Sequence, residues 1–199
     1  DDQQRPIVAT CTISTDMPTT GFAPSGGQDG YAFRMDPELT TQLWATYYGG
    51  ASDDACYSAQ LGATGEIYLT GGTVSSDLPM AGVPFTASNQ GGVDGFLARF
   101  SADGSSLLSA TYLGTSAYDQ SYFVQLDPAD FVYVVGQTHG AYTVSPGRYS
   151  NAGSTQFIQK LDHDLGTSLW STVIGSSLGY EDIAPSAFLV SECGQIYFS

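Results

Sequence analysis

The sequence predicts an all-β fold built from a four-stranded antiparallel unit that repeats along the chain. The first observation behind this is a repeat of just over 60 residues. Tyr31-Ala32-Phe33-Arg34-Met35 returns as Phe96-Leu97-Ala98-Arg99-Phe100 and again as Phe157-Ile158-Gln159-Lys160-Leu161, at steps of 65 and 61 residues. A unit of this length cannot bury its apolar face alone, so stacked neighbours must complete the core. The second is that each unit holds short segments rich in Tyr, Val, Ile, Phe and Thr, bounded by Gly, Asp, Ser or Pro, which are strand signals. No stretch keeps apolar residues at helical spacing for three turns. The third is composition: 42% hydrophobic residues supply a core, while 13% aromatics and 24 glycines suit pleated surfaces joined by tight turns.

Four segments recur in order, here lettered a to d. Segment a follows a Gly-rich turn and an acidic residue: Ala55 to Leu61, Ser121 to Leu126, Ala184 to Val190. Segment b is the clearest: Ile67 to Gly71, Val132 to Gly136, Ile196 to Ser199, with Ile7 to Cys11 as an earlier, degraded copy. Segment c is the aromatic-led motif above. Segment d is Leu43 to Tyr47, Leu107 to Tyr112 and Leu169 to Val173. Short turns such as Gly62–Gly65 and Ser101–Gly104 join a to b and c to d, whereas b to c needs long loops at about Thr15–Asp29, Val74–Asp94 and His139–Gln156.

Four short strands per unit at this period describe the blade of a β-propeller. Residues 6–48 then supply strands b to d of one blade, 51–113 and 116–174 two full blades, and 180–199 strands a and b of the next. That is about thirteen strands, whereas propellers close with roughly 4–8 blades of four. The register therefore predicts about three blades of a larger ring, completed by further blades of a parent chain or by a partner, and an open edge beside Ser199.

The series Tyr47-Tyr48-Gly49-Gly50-Ala51-Ser52-Asp53-Asp54, Gly65-Glu66-Ile67-Tyr68-Leu69-Thr70-Gly71-Gly72-Thr73, Ser76-Asp77-Leu78-Pro79 and Gly92-Val93-Asp94-Gly95-Phe96-Leu97-Ala98-Arg99-Phe100 resembles the bacterial β-propeller repeats called SBBP repeats. The closing Glu192 to Ser199 resembles large surface proteins of Bacteroidetes-type bacteria. The resemblance implies a propeller beside adhesive modules, exported by type IX secretion to the cell surface or beyond. The third unit departs from the pattern: it reads Tyr142-Thr143-Val144-Ser145-Pro146 where the second has Asp-Leu-Pro, and its Gly-Gly turn becomes Gly114-Thr115.

Charge excludes some functions. Five basic against 20 acidic residues give a net charge of −15, so the basic footprint of nucleic-acid binding is missing and an anionic membrane surface repels the chain. No apolar run is long enough for a membrane span. Cys11, Cys56 and Cys193 lack metal-ligand spacing and fall outside the repeat, which leaves two readings: one disulfide with a spare thiol, or three buried free thiols.

The sequence assigns no catalytic, cofactor-binding or metal-ligating residue. Asp54, Asp119 and Asp182 head strand a at steps of 65 and 63, and Asp29 and Asp94 precede strand c. Their recurrence points to caps on turn amides; calcium held by loop oxygens is the alternative. Asp162-His163-Asp164-Leu165-Gly166 opens like a calcium loop but aligns with an ordinary c–d turn and lacks the distal Glu. Gly175-Ser176-Ser177-Leu178-Gly179 fits the nucleophile-elbow pattern, yet both histidines, His139 and His163, precede it. Arg34, Arg99 and Lys160 share one strand-c position, which predicts a structural ion pair or carbonyl contact for each. Trp44 and Trp170 share a strand-d position and are expected to pack between outer strands.

The expected function is a non-enzymatic extracellular scaffold, adhesion or interaction module of a large bacterial secreted or surface protein, meeting a protein or glycan at the loop face. The alternatives are a glycan-binding or glycan-cleaving propeller with its site in the b–c loops, and a subunit of an extracellular assembly.

Overall fold

The computed structural model describes residues 3–181 and 183–199, and every regular element among them is a β-strand. The first sheet holds β1 (Ile7–Thr12), β2 (Asp29–Met35) and β3 (Gln42–Tyr48). The second holds β4 (Asp54–Leu61), β5 (Ile67–Thr73), β6 (Asp94–Phe100) and β7 (Leu107–Leu113). The third holds β8 (Asp119–Leu126), β9 (Val132–Thr138), β10 (Gln156–Leu161) and β11 (Ser168–Ile174). A two-stranded sheet of β12 (Phe188–Val190) and β13 (Ile196–Phe198) follows. Each strand pairs antiparallel with its sequence neighbour inside its sheet, so each sheet is a meander.

The sheets stack face to face, and side-chain alternation decides which face meets which neighbour. Phe96, Ala98 and Phe100 of β6 meet Ala32, Trp44 and Tyr48 of the first sheet, while Leu97 turns the other way to Val134, Phe157 and Leu161 of the third. Tyr48 sits 5.1 Å from Phe96 and 5.7 Å from Phe100, the latter edge-on at 90°. Tyr133, Val135 and Ile158 carry the stack on to Phe188 and Val190. Because the second and third sheets are covered on both faces, β5 and β9 are buried along their whole length and read as nearly continuous apolar runs. Each large side chain so buried contributes roughly 1.5–3 kcal/mol.

A repeated bulge shapes the first strand of each complete sheet. Cys56 pairs with Gly71 and Ser58 with Thr70, which leaves Tyr57 extra; Ser121 pairs with Gly136 and Phe123 with Val135, which leaves Tyr122 extra. The bend drives a carbonyl over the facing residue. A Cβ on Gly71 would lie 1.7 Å from the Ala55 oxygen, and one on Gly136 2.1 Å from that of Gln120. The glycine that closes each b segment is thus required by the bulge opposite it.

The recurring cations meet carboxylates in two units. Arg99 reaches Asp164 in the c–d turn of the next sheet at 2.8 Å. Lys160 bonds Asp127 at 2.9 Å and the Tyr133 hydroxyl at 2.7 Å, and lies 4.4 Å over the Phe131 ring. Arg34 is buried at the same position. Trp44 is buried between sheets, with Gly104 of the next c–d turn against its ring. Trp170 packs edge-on against Tyr133 beneath the Arg148 guanidinium.

Two expectations need correction. The last a segment, expected over Ala184 to Val190, is a strand only from Phe188 to Val190, because Pro185 lacks an amide for the ladder. The cysteines are free but not all buried: Cys56 lies in the core, while Cys11 on edge strand β1 and Cys193 in the β12–β13 turn are exposed.

Candidate contact site at the loop end of the sheets

Antiparallel pairing brings the β5–β6 and β9–β10 loops to the same end as the β3–β4 and β7–β8 connections. There the two bulges have a consequence beyond backbone geometry. A bulge residue leaves the alternation of its strand, and the rings of Tyr57 and Tyr122 come within 6.1 Å of each other across two sheets. Gln120 donates to the Tyr57 hydroxyl at 3.2 Å, and the Tyr122 hydroxyl donates to Gln137 at 2.5 Å. The Gln137 amide passes the network to Glu181. Glu181 also meets His139 Nε2 at 2.5 Å, and the His139 ring lies 5.3 Å from Tyr118.

The result is a patch in which Tyr57, Tyr118, His139 and Glu181 are exposed over half-buried Gln120 and Tyr122 and buried Gln137. Tyr57 is 42% and Tyr118 37% exposed, enough for each ring to offer a face to a partner. Burial, helped by neighbouring Tyr118, Tyr57 and Glu181, pushes the Tyr122 phenol up to about 12, so it stays a neutral hydrogen-bonding group at any ordinary pH. The backbone amide of Glu181 and its bond to His139 hold its carboxyl below the ordinary value, so it is ionised.

The recurring aspartates stand just behind this rim. Asp29, Asp54, Asp94 and Asp119 are at most 2% exposed. Asp29 Oδ2 accepts the Ser25 amide at 2.9 Å, Asp54 Oδ2 the Gly50 amide at 2.7 Å, and Asp119 Oδ2 both the amide and the hydroxyl of Thr115 at 2.7 Å. Asp94 Oδ2 accepts the Gln90 amide. These are turn caps, as their recurrence predicts. Among the described residues the Oδ1 atom of each has no hydrogen-bond partner, and burial pushes Asp54 up and Asp94 up to about 6, each with a second carboxylate nearby. Asp182 lies outside the described residues.

The other sequence candidates are separate from the rim. Asp162 caps its own turn through the Gly166 and Thr167 amides, and Asp164 is held by Arg99. Gly175 to Gly179 lies in the connection after β11, not at a strand-to-helix turn, with Leu178 62% exposed. Among the described residues no group of three or more His, Cys, Asp or Glu is placed to hold a metal ion. Tyr57 and Tyr122 were missed by sequence reasoning; the available signal was a tyrosine at the same place in both a segments, facing a glycine in the b segment. Neither a protein-family model nor a curated protein matches the chain.

Proposed function

We propose that the chain is a β-propeller segment of the SBBP type, acting as a non-enzymatic interaction or adhesion module of a bacterial surface or secreted protein and gripping a protein partner with its loop-end rim. The observation that carries this reading is the pairing of equivalent bulges, which turns two inner-strand tyrosines out of their sheets beside Tyr118 and His139. Tyrosine is over-represented at protein interfaces because it covers much apolar area at low entropic cost and keeps one polar end. The stacked four-stranded sheets behind the rim supply rigidity. The high negative charge favours solubility and basic or neutral partners over nucleic acid or anionic lipid.

The test is surface plasmon resonance of the purified chain over immobilised fibronectin, collagen and mucin. Saturable binding that is lost in Tyr57→Ser and Tyr118→Ser, with the melting temperature retained, supports the rim. Binding indifferent to both substitutions, or no binding to any of these surfaces, overturns it.

A further inference from the structure

A second feature stands apart from the rim and goes beyond that reading. Between the second and third sheets, on the same loop end, lies a cleft of about 510 Å³, within the size range of small-molecule sites. The corresponding place between the first and second sheets is filled. Phe22, Leu78, Ala98 and Ala110 pack there in one apolar cluster.

Their counterparts follow from backbone register. Phe22 donates its amide to Thr46 Oγ1 and accepts from the Tyr47 amide; Thr86 makes the same two bonds with Thr111 and Tyr112. Ala98 pairs with Leu69 and Ala110, and Gln159 with Val134 and Ser171. So Phe22 becomes Thr86, Ala98 becomes Gln159 and Ala110 becomes Ser171, and all three replacements line the cleft. These three apolar groups of the first junction are exchanged for a hydroxyl or amide at the second.

A structural reason alone does not account for that exchange, since a polar side chain turned into a junction between sheets forfeits packing and must find hydrogen bonds. Some are supplied internally: the Ser171 hydroxyl donates to the Thr143 carbonyl at 2.6 Å, and Tyr142 donates to Gln159 Oε1. The Gln159 amide and the hydroxyls of Thr86 and Ser145 line the remaining space, while the Thr115 hydroxyl is already given to Asp119. Among the described residues no charged side chain lines the space, in a chain of net charge −15. At its mouth stands Phe85, 46% exposed.

We infer that this cleft binds a small neutral polyhydroxylated molecule, a hexose unit of a glycan. Hydroxyl and amide groups can both donate to and accept from sugar hydroxyls, the aromatic ring of Phe85 offers a face for the C–H side of a pyranose, and the lack of lining charge disfavours anionic and cationic ligands alike.

The experiment is saturation-transfer NMR of the intact chain with maltotriose, cellotriose, mannotriose and lactose, and with 3′-sialyllactose as the charged comparison. At least one neutral saccharide is expected to receive saturation, with its affinity weakened about 3–10-fold in Phe85→Ala and lost in Thr143→Leu, which replaces a lining hydroxyl with a bulkier apolar side chain. Phe85 and Thr143 are both exposed, so melting temperatures are expected to stay at the parent value. The Tyr57→Ser rim variant should bind sugar normally, which separates a failure here from a failure of the rim. No signal from any neutral saccharide, preference for the sialylated sugar, or binding that survives Thr143→Leu in a folded protein overturns the inference.

Discussion

The Tyr112 hydroxyl grips the loop that carries Leu78 from two sides, accepting the Leu78 amide at 3.0 Å and donating to the Ser75 carbonyl at 3.1 Å. Tyr47 repeats the grip one unit earlier, on the Met17 amide and the Ser14 carbonyl, both at 2.9 Å. This explains why Asp16-Met17-Pro18 and Asp77-Leu78-Pro79 look alike, and why the third unit lacks the motif: the residue aligned with Tyr112 there is Val173, which has no hydroxyl to offer. The loss of the clamp and the opening of the cleft belong to the same unit.

Tyr112→Phe removes both bonds and leaves the buried Leu78 amide unsatisfied. Calorimetry should show a loss of about 1–3 kcal/mol, or about 2–12 °C in melting temperature. Tyr47→Phe should act in the same direction. An unchanged transition in both would show that the clamp does not hold the loop.

Lys160→Ala should cost more than Arg99→Ala. Lys160 and Asp127 are 15% and 11% exposed, whereas Asp164, the partner of Arg99, is 61% exposed and screened by water. Urea unfolding should give about 2–3 kcal/mol for Lys160→Ala and about 1 kcal/mol or less for Arg99→Ala. Burial works against the Asp127 charge, but the bond from Lys160 and the Phe131 and Ala129 amides outweigh it and hold the carboxyl low. A depressed carboxylate stabilises above its unfolded pKa, and that contribution disappears as pH falls through the folded value. The gap between parent and Lys160→Ala should therefore be steady near neutrality and narrow in acid.

Asp94 gives the opposite slope. Burial and then Asp119 push its carboxyl up to about 6 against an ordinary 3.8, so between those values the folded state binds the proton more tightly. Stability from this group is complete below pH 3.8 and is lost as pH rises through about 6. Asp94→Asn keeps an acceptor for the Gln90 amide without the charge. It should flatten that part of the thermal-stability profile and gain on the order of 2 kcal/mol at pH 7 relative to the parent. A profile identical to the parent's would count against a buried charge at Asp94.

Gly114→Ala should be severe although the substitution is small. A Cβ there would lie 2.3 Å from Asp94 Oδ1, and the equivalent Cβ on Gly49 would lie 2.0 Å from Asp29 Oδ1. Relief requires the carboxylate to leave its turn amide, at a cost of about 1–3 kcal/mol. Hydrogen exchange at the Gln90 amide should quicken in the same variant.

The sequence by itself determined the strand count, the strand order and the antiparallel four-stranded unit, because period-2 burial and turn chemistry are local and a repeat states them several times over. It also carried the structural role of Arg99 and Lys160, since a cation returning at one register position points to a part in the unit itself, although each meets a different carboxylate. It missed the short β12, where one proline outweighed a repeat, and the exposure of Cys11 and Cys193, which depends on which strand is an edge. Only the tertiary structure decided the two candidate sites. Tyr57 and Tyr122 are 65 residues apart and meet through bulges, and although the repeat places a tyrosine in both a segments, only the stacking brings the two rings together. The cleft exists because Thr86, Thr143, Gln159 and Ser171 come from two loops and two strands to one junction. Local propensity sets each strand, but which side chains share a space is fixed by stacking one sheet on the next.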